Sequence, residues 1–597
     1  MGITPPGGED FEFRGPSANA FVQDDFKANS HLTLNIGVRW EWFPLNSAAN
    51  GENTNVWVPL IATVPNTQLG TTAATGTLAG FVVPANFNYA LFPAPPVGGL
   101  YQNNQNGPTL NKAPLRNFAP RFGLAWKPFT SDKFVFRAGF GTFYDRAGNT
   151  IYNKSATQGS PYDVPVAQSG AANYYSSEAS PYCTGPNAPN ALTGCATPVL
   201  GWTPRFYNPV TGTGSNLAVL STSTTYLVPV VYQWNGNIQY QFANSWVVQI
   251  GYVGSRGVHQ VPDATLAGGI LEHNANQPLL TPGTAYTNYS AFCPTAATNK
   301  VCAAFAAPSA SNATQRVPYL GFSPTGIGVD QTIFDSKFNS VQATLTHRFS
   351  HGLQFEATYT WARGFDTSSY IAFNDANMPV QYGLMPYLRP QRLTVNYSYQ
   401  LPFGKHEGML DKLTSGWVVS GVTIAQDGFP QTITDVNGGN IYGGAQTSTA
   451  QYCNTGIAGC TGPMGNANVA TSGSDKSRLF GWYGAATNPT KGTCPQTTCT
   501  FASFVAAPTS NGYGNSGYGT VLGPGQWNWD ISLVKTTKVG GFNENATLVF
   551  RSEFFNAFNH AQFNPPVSND VTSSTFGVIN TTSVSPRLIQ FALKYVF

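Results

Sequence analysis

Residues 586–597, PRLIQFALKYVF, decide the fold class of this chain. Every second side chain in the stretch is apolar or aromatic, namely Ile589, Phe591, Leu593, Tyr595 and Phe597. The side chains between them are more polar and include Gln590 and Lys594. Successive side chains of a β-strand point to opposite faces. The pattern therefore predicts a strand with one apolar face and one more polar face.

The same alternation recurs along the whole chain. Residues 32–42 (LTLNIGVRWEW), 353–361 (LQFEATYTW) and 548–554 (LVFRSEF) place apolar side chains at every second position, with mostly polar residues between them. Such segments predict thirteen strands, near residues 18–28, 32–42, 117–128, 133–144, 230–242, 244–254, 337–349, 353–361, 390–401, 416–434, 526–538, 548–554 and 588–597.

The composition indicates the environment of these strands. Charged residues make up 10% of the chain, against roughly a quarter of an ordinary soluble domain. Aromatic residues make up 13%, and the 62 glycines and 43 prolines argue against a helical protein. A surface so poor in charge suits water badly. It suits a wall with lipid on one side and uncharged polar groups on the other.

The connections between the predicted strands alternate in length. Short turns are predicted at 28–31, 128–133, 242–244, 349–352 and 538–545, with a medium turn at 402–415. Long loops at 44–116, 145–229, 255–336, 364–389, 435–525 and 558–587 all fall on the opposite side of the sheet. Short periplasmic turns and long extracellular loops are typical of outer-membrane barrels. We therefore predict an all-β fold, an antiparallel transmembrane outer-membrane β-barrel.

Other routes to a membrane or a charged partner are excluded. No apolar stretch reaches the ~20 residues of a membrane-spanning helix, and paired strands are the other structure that satisfies every backbone group in lipid. Residues 1–10, MGITPPGGED, lack a basic region and an apolar core, so they predict no signal peptide. The formal net charge of +3 is too small to indicate a nucleic-acid partner.

The eight cysteines form four close pairs, and all lie in predicted long loops: Cys183/Cys195, Cys293/Cys302, Cys453/Cys460 and Cys494/Cys499. An even number and local spacing predict disulfides in an oxidising exterior. Zinc binding is the alternative, but it needs close ligand spacing with a histidine nearby. Cys494 and Cys499 come nearest to that spacing, and they lack the histidine.

Motifs for catalysis or cofactor binding are missing from the sequence. The seven histidines are scattered, and none is spaced from a carboxylate as in a metal-binding helix. No nucleophile elbow, Walker loop or dinucleotide fingerprint occurs. We therefore expect no enzymatic activity, no cofactor and no metal site. Arg551 and Glu553 share the polar face of one predicted strand. Contact with a plug is one interpretation, and a structural pair in a polar wall is the favoured one.

Several segments resemble the barrel of TonB-dependent outer-membrane transporters, in particular the Oar-like branch. They follow the family's order and span almost the whole chain: AFVQDDFKANSHLTLNIGVRWEWF (20–43), NFAPRFGLAWKPF (117–129), FVFRAGFGTFYDR (134–146), WNGNIQYQF (234–242), VVQIGYVGSRG (247–257), FNSVQATLTHRFSHGLQFEATYTWAR (338–363), LPFGK (401–405), GWVVSGVTIAQDGFPQTI (416–433), FRSEFFNAFNHAQFNPP (550–566) and PRLIQFALKYVF (586–597).

The resemblance carries implications for domain organisation. Barrels of this family have about 22 strands and enclose an N-terminal plug, and in the Oar-like branch a small β-sandwich usually precedes the plug. We therefore expect residues 1–597 to be a partial barrel domain, about thirteen strands of 22, without plug, TonB box or signal peptide. The resemblance also implies that the barrel assembly machinery recognises the apolar row of residues 589–597.

Two functional classes follow. The first is energy-coupled transport through an outer-membrane receptor, which would capture an unknown extracellular ligand and reach the TonB complex only through the missing N-terminal part. The second is a surface-binding or adhesion protein that uses the barrel only as an anchor in outer-membrane lipid. A non-functional fragment is the remaining alternative. Fold alone does not name the ligand.

Overall fold

The computed structural model describes the residues that form the sheet and the better-defined parts of its connections. These are residues 12–49, 51, 55–61, 81–90, 101–105, 107–110, 112, 114–146, 217–222, 227–260, 273–286, 289–293, 300–320, 322–330, 332, 334–367, 382–403, 408–443, 448–452, 479, 482–483, 504–505, 512–540 and 543–597.

Thirteen antiparallel strands pair in chain order to form one continuous wall. They are β1 (Ala18–Lys27), β2 (Leu32–Trp42), β3 (Asn117–Trp126), β4 (Phe134–Tyr144), β5 (Val230–Ala243), β6 (Trp246–Gln260), β7 (Phe334–Ser350), β8 (Leu353–Asp366), β9 (Gln391–Gln400), β10 (Trp417–Gln426), β11 (Gln526–Lys538), β12 (Thr547–Phe555) and β13 (Leu588–Val596). A short strand, Gly383–Leu384, pairs with the end of β8 and brings the sheet to 14 strands. Each of the thirteen predicted strands corresponds to one strand of this wall, although the bounds of several differ. In the described part of the chain β1 and β13 do not pair with each other, so the wall is not closed into a cylinder.

Tight turns join the strands on one side of the wall. Between β7 and β8, His351 and Gly352 both have positive φ, 51° and 81°. This backbone conformation is the one that two-residue hairpins require, and glycine adopts it without steric cost. The sequence pattern of Ser350, His351 and Gly352 therefore gives a tight hairpin at the predicted place.

The prediction of one strand over 416–434 is wrong at its end, because β10 stops at Gln426. Beyond it the backbone at Gly428 approaches the Gly523 carbonyl so closely that an added Cβ would lie 1.9 Å from that oxygen. Pro430 has no N–H to donate to a ladder. Residues Pro430–Gln431 instead pair with Val521–Leu522 in a separate two-stranded sheet.

The long connections carry structure of their own. Their short strands are Ser47–Ala48, Asn55–Val56, Phe81–Pro84, Tyr101–Asn103, Leu217–Thr222, His273–Asn274, Phe322–Asp330, Pro430–Gln431, Thr434–Asp435, Ser448–Thr449, Gln451–Tyr452, Phe504–Val505 and Val521–Leu522. A further short strand, Phe13–Arg14, precedes β1 and pairs with Ser47–Ala48. Their α-helices are Tyr289–Phe292 and Lys300–Ala306, and their 3-10 helices are Val58–Leu60, Gly107–Thr109, Gly283–Tyr286, Ala310–Gln315 and Asn440–Tyr442. A third α-helix, Met409–Thr414, lies in the medium turn between β9 and β10. Among the described residues, no helix has the length and apolar character needed to cross a bilayer.

The tightest apolar packing lies in the long connections rather than in the wall. One cluster joins the connection after β10 to the connection after β12 and contains Ile433, Tyr483, Phe504 and Val571, each at most 1% exposed. A second cluster lies within the connection after β6. The wall itself is one layer thick, which leaves both of its faces available for contacts.

Candidate functional site

Strand register keeps the two kinds of side chain on separate faces across the whole wall. Leu593 lies opposite Phe550, Phe550 lies opposite Lys535, and Lys535 lies opposite Trp417. When the register is followed from strand to strand, all of these positions lie on one face. That face contains Val22, Ile36, Phe122, Phe140, Ile238, Ile250, Val341, Tyr359, Leu393, Val419, Leu533, Phe550 and Leu593. We call this the apolar face.

The apolar face carries aromatic clusters at both of its edges. At the long-loop edge the ring centroids of Trp529 and Phe558 are 5.6 Å apart. At the short-turn edge Trp246 contacts His347 at 4.4 Å and Phe355 at 5.4 Å between centroids. Aromatic girdles at the two interfaces are typical of membrane barrels.

Cationic side chains lie where the apolar face ends, at the long-loop edge of the wall. Arg256 of β6 lies opposite Lys337 of β7, and Arg363 of β8 lies opposite Asn339 of β7. The two arginines and the lysine are exposed. Arg256 also pairs with Asp335, with 3.6 Å between Nη2 and Oδ2. The stretch from Trp246 to Arg256 has the length of a membrane-crossing strand, about 9–11 residues.

The opposite face is polar and mostly uncharged. We call it the polar face, and it contains Gln23, Asn35, Arg121, Arg137, Asn237, Gln249, Thr344, Glu356, Asn396, Ser420, Ser532, Arg551 and Gln590. Hydrogen bonds cross its strands: Arg137 Nη1 donates to Gln239 Oε1 at 3.0 Å, and the Thr344 and Thr358 hydroxyls are 3.2 Å apart. This hydrogen bonding stabilises a polar wall without dense charge.

A groove of about 580 Å³ lies along the polar face between β7 and β12. Its polar lining includes Gln354, Glu356, Asn396, Ser398, Asp530 and Glu553. Glu553 is held by Arg551, with 3.1 Å between Nε and Oε1, so the predicted ion pair on this face is formed. Asp530 accepts a bond from Asn528 Nδ2 at 2.9 Å. The described residues contain no group of three or more metal-ligating side chains.

Beyond the long-loop edge of the wall, the connection after β6 folds around a small core. Val301 and Val317 are completely buried, and Tyr286 and Phe305 contact each other with 5.1 Å between ring centroids. Burial raises the pKa of the Tyr286 hydroxyl, which donates to the Val317 carbonyl. A disulfide joins Cys293 to Cys302 with their Cα atoms 5.2 Å apart. This part of the connection is therefore a folded unit.

Arg316 joins that unit to a distant connection. Its side chain is fully buried, and its Nη1 donates to the Leu279 carbonyl at 2.6 Å. Nη2 donates to the Ser309 carbonyl at 2.8 Å and to the Ile441 carbonyl, which belongs to the connection after β10. Nε donates to Asn312 Oδ1 at 2.9 Å. Burial lowers the pKa of the Arg316 guanidinium, but arginine remains charged in proteins. No sequence pattern predicts this contact, since the acceptors are mostly main-chain carbonyls.

The wall, its two faces and its alternating connections are the features of an outer-membrane barrel. The family described as "outer membrane beta barrel domain" matches residues 4–590 of the chain. The chain belongs to this family. It therefore lies in the outer membrane, with its apolar face toward lipid, its short turns periplasmic and its long loops extracellular.

Solved structures similar to this outer-membrane barrel domain are receptors and transporters. The ferripyoverdine receptor of the Pseudomonas aeruginosa outer membrane is 9% identical, with a TM-score of 0.35, and the match covers 98% of this chain and 39% of the receptor. The outer-membrane transporter YddB of Escherichia coli is 8% identical, with a TM-score of 0.36, and the match covers 97% and 54%. The siderophore receptor PiuA of Acinetobacter baumannii is 9% identical, with a TM-score of 0.34, and the match covers 98% and 43%. The chain thus spans about half or less of their lengths. A comparison with curated proteins found no match.

The predicted site residues of the barrel domain fall in two places. The row Ile589, Phe591, Leu593, Tyr595 and Phe597 lies on or next to β13, and its members are 38–81% exposed. Of the cysteines, Cys293 and Cys302 are joined in an extracellular loop. Cys183, Cys195, Cys453, Cys460, Cys494 and Cys499 lie outside the described residues.

We expect Arg316→Ala to loosen the extracellular loops of the barrel domain while leaving its wall intact. The substitution would remove the Arg316 donors from the half-buried Leu279 and Ile441 carbonyls, at a cost of about 1–3 kcal/mol for each carbonyl left without a partner. Limited proteolysis on intact cells should cut the connections after β6 and β10 faster than in the parent protein. Heat-modifiable migration of the folded barrel should not change.

Arg587→Ala is the matched control for this prediction. Arg587 is also an arginine that donates to a main-chain carbonyl, that of Ala557 at 3.3 Å, but it is exposed. Its loss should leave the protease pattern unchanged. Equal cleavage of the Arg316→Ala and Arg587→Ala proteins would show that Arg316 does not hold the two loops together.

We also expect non-reducing peptide mapping of the outer-membrane protein to recover a peptide pair joined by Cys293 and Cys302. The bridge closes a short loop, so it should constrain little of the unfolded chain. Its main effect should be local, because Cys302 is 6% exposed within the loop core. The double substitution Cys293→Ser/Cys302→Ser should insert normally and should be cleaved faster only near that core. Pairing of Cys293 with any other cysteine would contradict the prediction, and the other three pairs remain predictions.

Proposed function

We propose that this protein is the barrel part of an outer-membrane receptor that takes up an extracellular ligand with energy supplied through the TonB complex. The observation that carries the proposal is the polar face, which extends across all thirteen strands of a wall whose extracellular loops have cores of their own. A protein that used its barrel only as an anchor would not need Arg316 to join two of its extracellular loops.

The chemistry of the polar face favours a hydrogen-bonding ligand over a highly charged one. Asn, Gln, Ser and Thr predominate among its side chains, and Arg551 and Glu553 neutralise each other. Amide and hydroxyl groups can donate and accept hydrogen bonds. Peptides, glycans and chelated metals all present such groups, so the ligand class is left to experiment.

Uptake by the native protein tests the proposal. A strain without the gene and the same strain complemented with the complete gene would be compared for accumulation of three probes: a ⁵⁵Fe-loaded siderophore, a fluorescent oligopeptide and a fluorescent oligosaccharide. We expect one probe to accumulate only in the complemented strain and to stop accumulating when a protonophore is added. Surface binding of a probe that never enters the cell would instead establish the binding or adhesion function.

A further inference from the structure

A short helix at the periplasmic edge of the wall exposes an unusual amount of apolar surface. This rim helix, Met409–Thr414, lies in the turn between β9 and β10. Met409 is 72% exposed, Leu410 is 52% exposed and Leu413 is 60% exposed. Residues three and four apart share one side of a helix. The three side chains therefore form a single apolar surface.

Three contacts attach the rim helix to the lipid-facing side of the wall. Trp417 Nε1 donates to the Leu413 carbonyl at 3.0 Å, Lys535 Nζ donates to the Ser415 carbonyl, and Thr537 Oγ1 donates to the Lys412 carbonyl at 3.5 Å. Register places Trp417, Lys535 and Thr537 on the apolar face. The helix is thus outside the barrel and not beneath its lumen.

Lys535 shows how the wall accommodates this attachment. It is a cation on a face that otherwise meets lipid, yet it is only 8% exposed. Its ammonium lies 5.7 Å from the centroid of the Trp417 ring and at the C-terminal end of the rim helix, where the helix dipole favours positive charge. The rim helix and Trp417 together remove the charge of Lys535 from the apolar surroundings.

We propose that the rim helix is an interfacial anchor that inserts Met409, Leu410 and Leu413 into the periplasmic leaflet of the outer membrane. The partner that covers these three side chains is phospholipid, because their apolar surface continues the apolar face of the wall at the edge where Trp246 and Trp417 lie. Exposed Lys412 is suited to reach the lipid headgroups, as lysines do at membrane interfaces. The anchor would fix the depth of the wall in the membrane, whatever ligand the receptor takes up.

Fluorescence quenching in the membrane-inserted native protein tests the anchor. Leu410→Cys and Lys412→Cys would each carry an NBD label, with the unsubstituted protein as the check that its own cysteines do not react. We expect the label at position 410 to be quenched by doxyl lipids and shielded from iodide. The label at position 412, two residues away on the polar side, should be quenched by iodide.

Heat-modifiable migration would first show that each labelled protein is inserted, and Leu413→Cys would replace Leu410→Cys if that variant does not insert. Iodide quenching at position 410 equal to that at position 412 would mean that the helix faces water. Shielding of position 410 from both quenchers would mean that a protein covers it. Either result overturns the proposal, and neither depends on transport activity.

Discussion

Ile250→Arg should prevent most of the protein from reaching its folded, membrane-inserted form, whereas Gln249→Arg should be tolerated. Ile250 is 52% exposed on the apolar face and lies opposite Ile238 and Ala343. It is near the middle of the stretch from Trp246 to Arg256, so the new cation would lie near the bilayer midplane. Such a substitution costs about 2–4 kcal/mol in a membrane barrel, a large share of the stability of most proteins.

The two substitutions form a matched pair, because they differ only in which face receives the same side chain. Gln249 lies on the polar face opposite Gln239 and Thr344, where water and polar groups can solvate a guanidinium. The measurement is the heat-modifiable fraction of the protein in purified outer membranes. Equal losses for the two variants would show that the faces are assigned incorrectly.

Phe591→Asp should block assembly more strongly than Ala592→Asp. Phe591 is 67% exposed on the lipid side of β13, and its ring stacks on that of Phe550 with 6.2 Å between centroids. Ala592 is its neighbour on the polar face, opposite Arg551, which can pair with the new carboxylate. We propose that the row from Ile589 to Phe597 is also read by the barrel assembly machinery.

Two measurements separate recognition from stability in this prediction. Pulse-chase labelling in cells should show the Phe591→Asp chain retained in the periplasm and degraded. The same purified chain should still fold in detergent micelles, where no assembly machinery takes part. Normal insertion in cells would refute the role of the row, and failure in both settings would assign the defect to stability alone.

The wall could be predicted from the sequence because each strand has its own local pattern. Alternation in residues 32–42 or 353–361 depends only on the face to which each side chain points, and the short turns depend on local residues such as His351 and Gly352. Lipid on one side of the wall requires the alternation at every strand. Membership in the outer-membrane barrel family is confirmed, whereas the resemblance to the Oar-like branch stays a prediction.

The features outside the wall depend on contacts that no local pattern encodes. The break after Gln426 depends on the approach of Gly428 to Gly523, almost a hundred residues away in the chain. The rim helix was predicted only as part of a medium turn, because six residues are too few to establish a helical repeat. Nothing in the sequence distinguishes Arg316 from other loop arginines, because its acceptors come together only in the folded chain.

The hydrogen bonds of Arg316 also determine how freely its surroundings can change during evolution. A main-chain carbonyl is present whatever side chain occupies the position, so Leu279, Ser309 and Ile441 can be replaced as long as the backbone keeps its course. Arg316 has no such freedom, since no other side chain offers the same fork of donors. Substitutions at these three positions therefore need not change the arrangement of the loops, provided that Arg316 is kept.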